Sequence, residues 1–107
     1  MLIKQVFNNN VVLVHDDLKN REYILIGKGL GFQKKKGMKA DIYKLEKKFI
    51  SDDASVKKRL IALAEEVDPA IFDATSEIIS QIEKELGQEL YKYIYLSLTD
   101  HIAFAIK

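Results

Sequence analysis

The residues best suited to chemistry lie in one short stretch, Gly27-Lys28-Gly29-Leu30-Gly31-Phe32-Gln33-Lys34-Lys35-Lys36. Its ten positions hold three of the chain's five glycines, four lysines, one phenylalanine and one glutamine. Glycine lets a backbone turn sharply and lets another molecule approach it closely. Lysines attract phosphate oxygens, and an aromatic ring beside them can stack on an unpaired base. The competing reading is a glycine-rich connection between strands, with a solvated lysine run and Phe32 turned inward. A nucleotide-binding phosphate loop is excluded. The spacing is G-x-G-x-G, position 32 is Phe where the dinucleotide fingerprint needs Gly, and no Gly-Lys-Ser/Thr follows.

The two histidines are the other candidates. His15 closes an apolar run beside Asp16 and Asp17 and reads as an ordinary surface histidine. His101 follows Leu98-Thr99-Asp100 in the last helical segment, where on its own it reads as a partly buried helical histidine. Thr99 and Asp100 point away from its face of a helix, so no nucleophile–base pair is assembled there. Two distant histidines and no cysteines make no convincing metal site, and disulfides are excluded. No catalytic residue, cofactor or metal is expected.

The elements that must position these residues follow from periodicity. Leu2–Phe7 is β-rich, with Ile3 and Phe7 expected on one face and Lys4 on the other. Asn8-Asn9-Asn10 reads as a tight turn. Val11–His15 is a second strand, apolar enough for burial on both faces. Arg21–Ile26 is a third, after a turn at 16–20. The segment from Ile42 to Ile50 reads weakly as a fourth, giving an antiparallel meander. About fifty residues bury little alone, so a second copy of the sheet is the expected cover.

From Ser51 the pattern turns helical. Ser51, Asp52, Asp53 and Ser55 are candidate N-caps, and Val56, Leu60, Leu63 and Ala64 share a helical face. Asp68-Pro69 caps the next helix, which carries Ile71, Phe72, Ile78, Ile79, Ile82 and Leu86 and ends at Gly87. A last helix from about Leu90 to Ile106 is expected to bury Ile94, Leu98, Ile102, Ala105 and Ile106. Strands first and helices after predict an α+β chain of separate modules, 1–53 and 54–107.

Charge divides at nearly the same place. The chain of 107 residues has a net charge of +1, yet residues 1–59 hold 14 lysines and arginines against 7 acids, and residues 60–107 hold 3 against 9. A basic first half suits a polyanion such as nucleic acid. No apolar run approaches a membrane span and no signal-peptide pattern opens the chain, so a cytoplasmic protein without a membrane partner is expected.

The start Met1, Ile3, Val6, Asn8, Asn9, Asn10, Val11, followed by Gly27 to Lys35, resembles the RNA-binding domain of the BglG/SacY/LicT type of bacterial transcriptional antiterminators. Tyr95-Leu96-Ser97-Leu98-Thr99-Asp100-His101-Ile102 resembles the first phosphorylatable regulation domain of the same family. The resemblance implies a four-stranded antiparallel sheet that dimerises into a barrel-like body, followed by the first helices of an incomplete helical-bundle regulation domain. It implies a non-enzymatic homodimer that binds a hairpin in nascent mRNA and blocks terminator formation. It also implies control by histidine phosphorylation from proteins of the sugar phosphotransferase system. The RNA-binding residues would be Asn8, Asn10, Gly27, Lys28, Gly29, Phe32, Gln33 and Lys34, and the phosphoacceptor His101. The family usually carries lysine at the position of Gln5; here the lysine is Lys4, expected on the opposite sheet face. Two rivals are a DNA-binding regulator, which would need a basic recognition helix where the helices are acidic, and a protein–protein adaptor with a solvated basic face.

Overall fold

Runs of β-branched and aromatic residues broken by asparagine- and aspartate-rich turns form four strands: β1 (Leu2–Asn8), β2 (Val11–Asp16), β3 (Arg21–Ile26) and β4 (Lys47–Ile50). They pair antiparallel in the order β1-β2-β3-β4. Three helices follow, α1 (Ala54–Glu66), α2 (Pro69–Leu86) and α3 (Lys92–Ile106). The computed structural model describes residues 1–50 and 54–106, with the side chains of Lys92 and Ile106 outside that description. The caps expected at Ser51, Asp52 and Asp53 therefore lie outside the described residues. Ser55 stands inside the first turn of α1.

Period-two alternation sorts the strands' side chains onto two faces. Val11, Leu13, Ile24, Ile26 and Phe49 face the helices, where they meet Val56, Leu60, Phe72, Ile79 and Tyr95 in one core. Val12, Val14, Tyr23 and Leu25 face the other way, and Leu30, Leu45 and Ala40 of the long β3–β4 connection close over them. The strands-then-helices order holds, and one apolar cluster joins residues on both sides of residue 53. Each sheet face carries apolar cover from the chain itself, helices on one side and the β3–β4 connection on the other.

Three further expectations shift. Ile3 and Phe7 do not share a face: Ile3 packs on the loop side and Phe7 on the helix side. The pairing of β1 with β2 slips between Ile3 and Gln5 and again between Val6 and Asn8, and each slip breaks the alternation. Ile42–Lys44 is a 3-10 turn, with pairing to β3 beginning only at Lys47. Its amides are engaged locally, Lys44 to the Asp41 carbonyl at 2.9 Å and Leu45 to that of Ile42 at 3.1 Å. In α3 the buried residues are Tyr95, Leu96, Thr99 and Ala103, with Leu98 and Ile102 only partly covered and Ile94 exposed. Tyr95 turns the helix: its ring lies 5.1 Å from that of Phe49, and small residues one and two turns on let the helix approach.

Helix α2 begins and ends as expected. The Asp68 carboxylate accepts the Ala70 N–H at 2.9 Å, Pro69 occupies the first turn, and Gly87 closes the helix in a left-handed conformation. On α2 the buried residues are Phe72, Thr75, Ser76 and Ile79, while Ile78 and Leu86 stay exposed.

Candidate nucleic-acid interface

The glycine-lysine stretch leaves β3 as a chain of overlapping turns. Leu30 donates to the Gly27 carbonyl at 3.0 Å, Phe32 to Gly29 at 3.1 Å and Lys34 to Gly31 at 3.2 Å. Two glycines are required by close approach. A Cβ on Gly27 would lie 2.2 Å from the Lys44 carbonyl oxygen, and one on Gly31 would lie 2.4 Å from that of Asn8. The loop is thereby pressed against both the β1–β2 turn and the 3-10 turn. Leu30 is fully buried as its anchor, whereas Phe32, two residues on, is 55% exposed. The inward-turned Phe32 of the competing reading does not occur.

The asparagine turn is the loop's second support. Asn8 Oδ1 accepts the Asn10 N–H at 2.7 Å, and Asn8 Nδ2 donates to the Ala64 carbonyl of α1 at 3.1 Å. Asn10 is buried. Its Oδ1 accepts the Gly29 N–H at 2.8 Å, its carbonyl accepts the Gly27 N–H at 2.9 Å, and its Nδ2 donates to the Asp73 carboxylate of α2. Asn8, Asn10, Gly27 and Gly29 thus shape the loop, and the Gly27 and Gly29 amides are engaged within the chain.

The exposed members of the site are Lys28, Phe32 and Gln33, joined by Lys35, Lys36 and Lys39. Gln33 sits at φ 56°, a left-handed conformation uncommon for a side chain of its type. Lys34 is mostly covered and pairs with Asp41 at 3.4 Å, and Lys44 reaches the same carboxylate at 3.7 Å. Lys4 of β1 reaches across β2 to pair with Glu22 of β3, and that contact holds the Glu22 carboxyl below its ordinary range.

Three acidic residues border this surface that sequence reasoning passed over. Asp73 bonds Asn10, Glu77 lies 3.7 Å from the Lys28 amine, and both flank Glu46. Glu46 is held above the ordinary carboxylate range, chiefly by burial and then by the charges of Glu77 and Asp73. The available signal was the four-residue spacing of Asp73 and Glu77, which places both on one helix face.

His101 is exposed on α3, in an open groove with Tyr93, Ile94, Ser97 and Leu98. Its neighbour Asp100 pairs with Arg59 of α1 instead. His15 Nδ1 lies 2.8 Å from the Asp17 carboxylate, a surface contact.

The chain can be set beside known proteins. A family model described as the CAT RNA binding domain matches residues 1–58. Over its whole length the chain is 39% identical to the transcription antiterminator LicT of Bacillus subtilis (strain 168), covering 38% of that protein. It is 36% identical to the beta-glucoside operon antiterminator of Dickeya chrysanthemi, with the same coverage of 100% and 38%. Among solved structures it is similar to a crystal structure of GlcT CAT-PRDI, with a TM-score of 0.82 and 38% identity over 98% of this chain and 62% of that one. The chain spans well under half the length of the curated relatives it matches.

Proposed function

Since the chain belongs to the family of CAT RNA-binding domain antiterminators, we propose that it binds an RNA hairpin and acts in transcription antitermination. The observation that carries this reading is Phe32, held out to solvent on a braced loop that also exposes Lys28, Lys35 and Lys36. An exposed ring on a rigid, basic support can stack on a base unpaired in an internal loop while the lysines meet backbone phosphates. Lys28, Phe32 and Gln33 make the outward contacts, Lys34 adds charge at the rim, and Asn8, Asn10, Gly27 and Gly29 set the loop's path. The protein acts as a cytoplasmic homodimer without catalysis of its own. His101, accessible on α3, accepts phosphate from the sugar phosphotransferase system.

The test is Phe32→Ala with an RNA hairpin whose internal loop has been selected from a randomised pool. Affinity should fall by about 1–3 kcal/mol, the usual worth of one base–aromatic stack, with the circular dichroism spectrum retained. Unchanged affinity removes Phe32 from the interface. Failure to recover any hairpin removes RNA binding. Sedimentation of the complex gives its stoichiometry, and one chain per hairpin refutes the dimer.

A further inference from the structure

Two residues that the family resemblance places on the RNA surface are engaged by the helical half of the same chain. The Asn10 amide donates to the Asp73 carboxylate, and the Lys28 amine faces that of Glu77. Asp73 and Glu77 stand one turn apart on α2, so a single helix face delivers both acids. Asn10 is 4% exposed, and the group covering its donor is an anion. Phosphate oxygens are anionic acceptors of the same kind, so RNA and α2 compete for the same N–H and the same amine.

We propose that the acidic edge of α2 is an intramolecular competitor of RNA, closing Asn10 through Asp73 and opposing the charge of the exposed Lys28 through Glu77 while the helix lies on the sheet. This inference rests on the reading of the loop as an RNA surface. In the closed state the hairpin meets the exposed residues, Phe32, Gln33 and the lysines, with the pull of Lys28 reduced by Glu77 and the Asn10 donor out of reach. Full engagement requires the first turns of α2 to move away from the β1–β2 turn, which frees the Asn10 donor and removes two negative charges from the path of the phosphates. Glu46 adds to the same field from the sheet side, next to both acids. The helical half then tunes affinity without touching the nucleic acid.

Neutralising the edge in the complete chain tests the proposal. The selected hairpin is titrated into wild-type protein, Glu77→Gln, Asp73→Ala/Glu77→Gln and the control Glu85→Gln, which lies two turns further along α2. Glu77 is on the surface, so its variant folds whether or not the Asp73 change is tolerated. Glu77→Gln should bind about threefold tighter and the double variant about tenfold tighter at low salt, with the gain shrinking as salt rises. Glu85→Gln should match wild type. Amide exchange over residues 70–77 should quicken when hairpin is added to wild-type protein. Equal affinity across all four proteins overturns the competitor while leaving RNA binding intact. So does equal tightening by Glu85→Gln, or exchange that stays the same or slows. Absence of RNA binding throughout overturns the proposed function and this inference with it.

Discussion

Replacing Lys47 with methionine should loosen the junction between the sheet and the helices. Lys47 stands in β4 with its side chain 8% exposed, and its amine pairs with Glu83 of α2, 13% exposed. The same amine lies 5.3 Å from the centre of the Tyr95 ring, and Glu83 also accepts the Leu90 N–H at 2.6 Å. One ion pair therefore ties β4, α2 and the approach to α3. Methionine fills the space of the lysine stem but leaves the Glu83 carboxylate facing apolar surroundings. Removing one partner of a fully buried pair costs roughly 3–5 kcal/mol. Glu83 keeps its backbone donor and a little solvent, so about 2–3 kcal/mol is expected here. For a domain of this size that lowers the melting temperature by roughly 10 °C. Urea unfolding followed by circular dichroism reads the loss directly. Lys47→Met/Glu83→Gln should recover most of it, since no unpaired charge remains. A loss under about 0.5 kcal/mol for Lys47→Met would show that water reaches the pair, and the argument from burial would fall.

Three other outcomes follow from particular contacts. Gly31→Ala forces a methyl group against the Asn8 carbonyl and should destabilise the chain by about 2 kcal/mol or more, read in the same urea titration; wild-type stability would mean the loop does not press on the turn. Glu46 titrates above its ordinary value of 4.5. Its protonated form is therefore favoured by the fold, and its contribution is full below the unfolded value and lost as pH rises through the folded one. Glu46→Gln should accordingly be more stable than wild type at pH 7 and equal to it near pH 4, and melting curves showing the reverse order would refute the crowding of Glu46, Asp73 and Glu77. His101→Ala should reduce phosphotransfer from the sugar phosphotransferase relay. Mapping all of the phosphate to other histidines would remove the assignment.

Legibility differed by kind of signal. The strands and the α2 caps rest on local rules, the short apolar runs at 11–14 and 23–26 bounded by turn residues and the Asp68-Pro69 and Gly87 pair, and these were readable. The faces of β1 were not, because a slip in pairing leaves no mark on a seven-residue strand. The buried face of α3 was misread because aliphatic spacing favoured Ile94 and Leu98, whereas the partner awaiting the helix was Phe49, for which Tyr95 is the better match. From local pattern Asn8 and Asn10 were legible as turn residues, and the resemblance added them to the RNA surface. Their bonds to Ala64 and Asp73 join positions more than fifty apart, and no local pattern carries such a pairing.

The sharpest functional signal is a conflict within the loop itself. Leu30 and Phe32 are separated by one glycine, yet Leu30 is sealed and Phe32 stands half out in water. A stability argument alone would bury the larger ring, since each stretch of apolar surface left in solvent forgoes about 25 cal/mol per Å². Gln33 adds left-handed backbone, a strain that glycine at the same position would relieve. The backbone between them is nevertheless tightly held, by Gly31 against Asn8 and by the Gly31 N–H on the Asn9 carbonyl at 2.7 Å. A loop rigid enough to hide Phe32 instead fixes it outward. Such local violations of the folding rules belong at sites where another molecule completes the packing. On the proposed reading, a ring presented outward on a held backbone loses little freedom when a base arrives, so its exposure would lower the entropic cost of binding.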